Sequence, residues 1–284
     1  MLLQQAVEYL QVQPNHWYID CTFGKGGHTA EILSKGGKVL ALDWDEEAVI
    51  AGNELFKDEI TANKLQLVRE SFSKLAEVAQ NQNISQVSGI LFDFGTSTNQ
   101  LMSGSRGFSF LEDGELDMRM DTRLGVKAKD LLAIIPEKQL VKLFEDFGGE
   151  EDAWKIAKAI KNSPVPIETT HQLGELVLRV KHGRHGKLHP ATKVFQALRI
   201  AVNSELDEIT QVLPQALNLL ESNGHIVTIS FHEGEDRIVK TTFKNWEEQS
   251  VGEMLTKKPV SPTEEEVESN PRSRSAKLRV FKKN

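Results

Sequence analysis

The chain has 284 residues, 39% of them hydrophobic and 26% charged, with a formal net charge of −7. That composition suits a globular α/β protein with a sizeable core, and no run approaches the ~18 apolar residues of a membrane span. The acidic balance argues against a protein that coats nucleic acid non-specifically, and the single cysteine, Cys21, points to a reducing, cytoplasmic setting.

The opening "MLLQQAVEYL" reads as an amphipathic helix rather than a signal peptide. "WYID" is a short apolar strand ending in Asp20, and "GHTAEILSKGG" a helix closed by Gly36 and Gly37. "KVLALD" is a buried-type strand ending in Asp43, followed by the helical "DEEAVIAGNELF" with acids in its first turn. "KLQLVRESF" and "SGILFDFG" supply a third and a fourth strand. Continuous apolar runs between helices predict a parallel sheet covered on both faces.

The alternation then stops. Residues 103–135 are loop-rich, and from Pro136 to about His182 the chain reads helical without a strand. "ATKVFQALRIAVNSELDEITQVL" reads as one long amphipathic helix, "GHIVTISFH" as a returning buried strand, and "SAKLRVFKK" as an edge strand. The expected organisation is a core over 1–102, a mainly helical insertion over 103–188, and the rest of the core over 189–284.

The stretch "YIDCTFGKGGHT" carries the first chemistry. Glycines let backbone approach a ligand closely, and the following helix offers free N–H groups and its positive dipole end. Asp43, at the end of the next strand, is placed to hydrogen-bond ribose hydroxyls. That arrangement serves NAD, FAD or S-adenosylmethionine, and "GKGG" departs from the dinucleotide G-x-G-x-x-G. Ligands of open parallel sheets sit beyond the carboxyl ends of the strands, so Asp20, Asp43, Phe72 and Asp93 are expected to converge. Phe72 is placed to lie against an adenine face and Asp93 near a reacting amine.

Two stretches, residues 179–193 and 271–284, hold five and six Lys/Arg and no acid, which fits a polyanionic partner. "RGFSF" interleaves Arg106 with Phe108 and Phe110, residue types that stack on an extruded base, although one of the two rings is expected in the core. His182, His185 and His189 lack a cysteine and have Lys181, Arg184 and Lys187 beside them, so a basic RNA-facing loop is expected there and no metal. His232 is placed either to touch substrate or to cap the next helix.

The blocks "YIDCTFGKGGHT", "FDFGTSTNQL", "RGFSF", "LDMRMD", "HPATKVFQALRIAVNSEL", "ISFH" with "EDRIVK", and "NPRSRSAKLR" occur in that order. Together they resemble the bacterial RsmH (MraW) family over nearly the whole chain. The resemblance implies a class I S-adenosylmethionine-dependent methyltransferase fold, Rossmann-like, with an inserted helical domain that recognises substrate. It implies methyl transfer to the N4 amine of a cytidine in the decoding region of 16S ribosomal RNA. The partner implied is that RNA in the small subunit or a late assembly intermediate, with no membrane; a homodimer is left open. Carried onto this sequence, Gly26, Gly27 and His28 would cradle the methionine end, Asp43 the ribose and Phe72 the adenine, with Asp93 and Gln100 near the sulfonium. Asp93 would also be the catalytic acceptor, and Arg106, Phe108, Lys181, Arg184 and Lys187 would contact RNA.

The chain departs from the family pattern at several places. It opens at "MLLQQ" where the family has His-x-Pro-Val-Leu-Leu, "DFGTST" stands for "DLGVSS", Met102 for a common Asp, and "FHEGEDR" for "FHSxEDR". Two other readings stay open. One is a catalytically silent cofactor-binding or ribosome-associated protein. The other is a methyltransferase for another nucleic acid, although "DFGT" lacks the Asp/Asn-Pro-Pro-aromatic motif of DNA amino methyltransferases.

Overall fold

The computed structural model describes residues 1–95, 106–110, 112–182 and 189–284. The chain divides into two compact units, Met1–Gly95 with Leu206–Asn284, and Thr96–Glu205. The first unit begins with α1 (Leu3–Leu10), β1 (Trp17–Asp20), α2 (Gly27–Ser34), β2 (Lys38–Asp43), α3 (Glu46–Leu55), α4 (Lys57–Thr61), β3 (Leu65–Arg69), α5 (Leu75–Asn81) and β4 (Val87–Asp93). Local chemistry sets these starts. The Asp45 carboxylate caps α3 by accepting from the Glu47 amide at 3.1 Å, and Glu46 and Glu47 complement the helix dipole.

The second unit contains α6 (Ala128–Ile134), α7 (Glu137–Gly148), α8 (Ala153–Lys161), α9 (Thr170–Val180) and α10 (Thr192–Asn203). Helix α7 starts after Pro136 and stops at Gly149, whose φ of +59° suits a left-handed cap. A Thr169–Gln172 capping box opens α9. Buried Asn203 fastens the 118–120 segment, donating to the Met118 carbonyl at 2.8 Å and accepting from the Met120 amide at 2.7 Å.

Helix α11 (Glu205–Leu219) leads back into the first unit, followed by β5 (Leu220–Ser230), α12 (Glu233–Glu248), β6 (Gly252–Met254), α13 (Glu264–Ser269) and β7 (Lys277–Lys283). The seven-stranded sheet has the order β3-β2-β1-β4-β5-β7-β6. Strands β3, β2, β1, β4 and β5 run parallel to one another, and β7 is antiparallel to both β5 and β6. This is the class I methyltransferase arrangement that the resemblance implies. Side chains alternate between two cores, as strand geometry requires. Ile19, Leu40, Ile90, Phe92 and Ile226 face α5, α11 and α12, while Tyr18, Val39, Leu91 and Val227 face α1 and Ile32 of α2.

Three expectations are corrected. The long helix of the second half is two helices, because Ser204 takes a left-handed conformation, φ +50°, between α10 and α11. The second unit therefore runs to Glu205, not to residue 188. Helix α10 belongs with it because Gly148 of α7 lets the Lys193 backbone close in; a Cβ there would lie 2.5 Å from the Lys193 carbonyl. Finally, β7 is not the edge strand. The short β6 covers it, and Gly252 permits that because a Cβ would collide with the Lys282 carbonyl.

Candidate active site

Beyond the carboxyl ends of β1, β2 and β4, three carboxylates stand on three neighbouring strands. Asp20 is fully buried and held by the Thr22 amide at 3.1 Å and the Thr29 hydroxyl at 2.8 Å. Burial raises its pKa above the usual carboxylate value, against the opposing effects of His28, Thr29 and Thr22. Asp43 accepts from the Gly24 amide at 2.8 Å and the Asp45 amide at 2.9 Å, and desolvation still pushes it up to about 6. A carboxylate has about four lone-pair sites, so these two bonds leave acceptors for two hydroxyls.

Between them runs the glycine turn. Gly24 and Gly26 have φ of +55° and +75°, which favours glycine at both positions. Gly26 is doubly constrained, since a Cβ there would meet the Phe56 and Phe23 rings at 2.6 and 2.9 Å. Gly27 differs: a Cβ would find no atom within 4 Å. It opens α2, so that open space lies against free backbone N–H groups and the positive end of the helix.

His28 is buried, and desolvation lowers its pKa, which keeps the ring neutral near pH 7. Its Nε2 lies 3.2 Å from the Met1 carbonyl, which can only accept, so Nε2 carries the hydrogen. Nδ1 then turns its lone pair toward Asp93, 3.8 Å from Oδ2. Asp93 Oδ2 is also 3.3 Å from the Met1 ammonium. Its Oδ1 is buried and has no hydrogen-bond partner among the described residues. Desolvation raises the Asp93 pKa to about 6 in spite of that ammonium, with Glu235 and Glu266 pushing the same way as burial.

Phe72 follows β3 and is 9% exposed. Its ring lies 5.8 Å from Trp44, 6.1 Å from Phe92 and 6.0 Å from Phe94. Trp44 was not singled out by the sequence reading. Its position next to Asp43 was the available signal, since a residue beside a ribose-binding acid is near the base. Glu266 was also missed; its Oε1 takes the Leu2 amide at 2.6 Å and its charge acts on Asp93.

The S-adenosylmethionine expected from the resemblance fits this set on four counts. Gly27 leaves open space, Asp43 has spare acceptors, Trp44 and Phe72 form an aromatic wall, and Asp93 holds a buried oxygen without a hydrogen-bond partner among the described residues at its strand end.

Other expected site residues are placed differently. Gln100, Arg184, His185 and Lys187 lie outside the described residues. In the second unit, Arg106 donates to the carbonyls of Arg119 at 3.0 Å and Met120 at 2.8 Å, and its guanidinium lies 5.6 Å from the Phe108 ring. Phe108 is itself buried, so in this conformation it offers no face to a base. Lys181 binds the buried Glu150 carboxylate at 2.7 Å. These contacts tie Arg106, Phe108 and Lys181 into the helical unit. His189 stacks on Phe110 at 4.3 Å, and His232 caps α12, its Nδ1 accepting from the Glu235 amide at 3.4 Å. In the second basic stretch, buried Arg279 pairs with Asp236 at 2.6 Å and Lys283 serves the Leu217 and Leu220 carbonyls. Among the described residues no helix is long and apolar enough to cross a membrane.

A model of the MraW methylase family matches residues 1–284. A protein named ribosomal RNA small subunit methyltransferase H from Sulfurihydrogenibium sp. (strain YO3AOP1) is 44% identical over 286 residues, covering 99% of this chain and 97% of its own. Proteins of the same name show similar likeness. The one from Caldicellulosiruptor saccharolyticus is 41% identical over 303 residues (100% and 98% covered). The one from Desulfotalea psychrophila is 43% identical over 290 residues (100% and 97% covered).

Proposed function

Since the chain belongs to the MraW methylase family, we propose that it transfers a methyl group from S-adenosyl-L-methionine to the exocyclic N4 amine of a cytidine in the decoding region of 16S ribosomal RNA. The names of its relatives support the RNA class, and the resemblance in the motif blocks supports the base and the atom. The observation that carries the chemistry is Asp93, a buried strand-end carboxylate with one unpartnered oxygen.

Bound S-adenosylmethionine supplies a methyl group on a sulfonium, already a good leaving group. The chain's task is therefore the nucleophile, because the cytosine amine has its lone pair delocalised into the ring. Asp93 Oδ1 accepts an N–H of the amine, favours a pyramidal nitrogen and takes the proton as the new bond forms. A pKa of about 6 leaves Asp93 mostly ionised near pH 7 and basic enough to receive that proton. Neutral His28 adds no competing charge beside it. Asp43 and the α2 N-terminus fix the donor, so that placement supplies much of the remaining acceleration. The base must be unstacked to be reached, and we assign the RNA-holding role to the helical second unit.

The test is transfer of label from S-adenosylmethionine to small subunits lacking the modification, followed by nucleoside analysis. N4-methylcytidine in the product is the expected result. Binding of S-adenosylmethionine without transfer to any RNA or assembly state would instead favour a silent binding protein.

A further inference from the structure

Helix α8 has the sequence AWKIAKAIK and holds three lysines and no acid in a protein of net charge −7. Ala153, Ile156, Ala157 and Ile160 are buried and form its inner face. The helical period places Trp154, Lys158 and Lys161 at i, i+4 and i+7, one stripe on the outside about 10 Å long. Trp154 is 56% exposed, and its ring takes part in no aromatic or cation–π pair among the described residues. The Lys158 ammonium is exposed and has no ion pair among them. Lys155 is partly neutralised by Asp152 at 2.6 Å. Lys161 caps α6 through the carbonyls of Leu132 at 2.6 Å and Ala133 at 3.1 Å, and the next residue, Ile134, is 73% exposed.

A single exposed apolar side chain needs no explanation. An exposed tryptophan in line with a lysine that has no ion pair among the described residues is a different surface. The helix itself carries no acid to discourage a polyanion, and the ring adds a flat stacking face. Nucleic-acid-binding surfaces combine these two features, with lysines on phosphates and aromatic rings under unpaired bases.

We infer that the outer face of α8, with Trp154 and Lys158, is a docking surface for a single-stranded or looped segment of ribosomal RNA. Trp154 stacks on an unpaired base, and Lys158 meets a flanking phosphate. The inference rests on reading the chain as a ribosomal RNA methyltransferase, and it names where the helical unit holds that RNA.

The experiment measures equilibrium binding of protein-free 16S ribosomal RNA by the unaltered protein, Trp154→Ala, Trp154→Phe and Lys158→Gln. Thermal melts and S-adenosylmethionine affinity serve as controls for folding. Trp154→Ala is expected to weaken RNA binding about 5- to 100-fold and Trp154→Phe to restore most of it. Lys158→Gln is expected to lower the slope of log affinity against log salt by about one. Unchanged RNA affinity and salt slope in folded variants would overturn the inference. Weaker binding to whole subunits alone, with protein-free RNA unaffected, would overturn it too and assign the face to a ribosomal protein. Failure of the unaltered protein to methylate subunits while its RNA binding responds to Trp154 would refute the proposed function and leave the docking surface standing.

Discussion

Replacing Asp93 by Asn should make the protein more stable and less active at the same time. Burial lifts the Asp93 pKa from 3.8 to about 6, and its side chain is only 19% exposed. Between those two values the folded state binds a proton that the unfolded state does not. Stability therefore falls as pH rises through that window, and above pH 6 the fold carries the full cost of a buried negative charge. At about 1.4 kcal/mol per pKa unit the cost reaches ~3 kcal/mol, and partial exposure brings the expectation to about 1–3 kcal/mol. Asn mimics the protonated carboxyl, so Asp93→Asn should gain that amount near pH 7.5 and nothing near pH 4. In melting temperature the gain is about 2–4 °C per kcal/mol for a chain of this size. Calorimetric melts of both proteins at the two pH values, beside labelled methyl transfer and S-adenosylmethionine titration at pH 7.5, provide the assay. Transfer should drop about 10²–10⁴-fold with S-adenosylmethionine affinity retained. A variant no more stable at pH 7.5, or a gain that persists in acid, would refute the burial argument. Undiminished transfer would refute the acceptor role, and lost cofactor affinity would reduce Asp93 to a cofactor ligand.

The pH profile of kcat/KM should fall about tenfold per unit below pH 6, because protonated Asp93 cannot accept from the amine; a flat profile down to pH 5 would exclude it. Gly27→Ala should leave the melting temperature nearly unchanged, since its Cβ meets no atom, yet weaken S-adenosylmethionine binding at least about tenfold by isothermal titration. Gly26→Ala should instead destabilise the fold by about 1–3 kcal/mol in urea titrations, through its positive φ and the Phe56 and Phe23 rings. Arg279→Met should cost about 3–5 kcal/mol in the same assay, because it strands the Asp236 carboxylate. Burial alone would raise the Asp236 pKa, but Arg279 and then Lys277 hold it below 3.8. The stability from this pair is therefore complete above the unfolded pKa and disappears as pH falls through the folded one.

The parallel sheet was legible because apolar runs alternate with helices, and Asp20, Asp43 and Asp93 do end the neighbouring strands β1, β2 and β4. What escaped was decided by contacts distant in sequence. The break at Ser204 has no glycine or proline to announce it, and the pattern of apolar residues continues across it. Three-residue β6 is too short to show a period, so β7 read as an edge. Charge was the poorest guide. Arg106, Lys181 and Arg279 look like surface cations in a string of letters, yet each is committed to a carbonyl or carboxylate inside its unit. Trp154 went unmarked because a lone tryptophan in an amphipathic helix reads as core.

The way Asn203 and Arg106 share the 118–120 segment bears on how the ribbon of strands is completed during synthesis. Strand β4 leaves the ribosome long before its partner β5, with residues 96–205 between them. Until β5 arrives, β4 is an open edge, and the sheet lacks α11 and α12 over one face. The contacts of Arg106 and Asn203 with the 118–120 segment hold two positions far apart in sequence at one anchor. Each halving of an open loop is worth about 0.6 kcal/mol, so a connection pinned in this way costs less entropy to close than an unpinned one. The shared segment is a clasp on the connection between the two halves of the sheet.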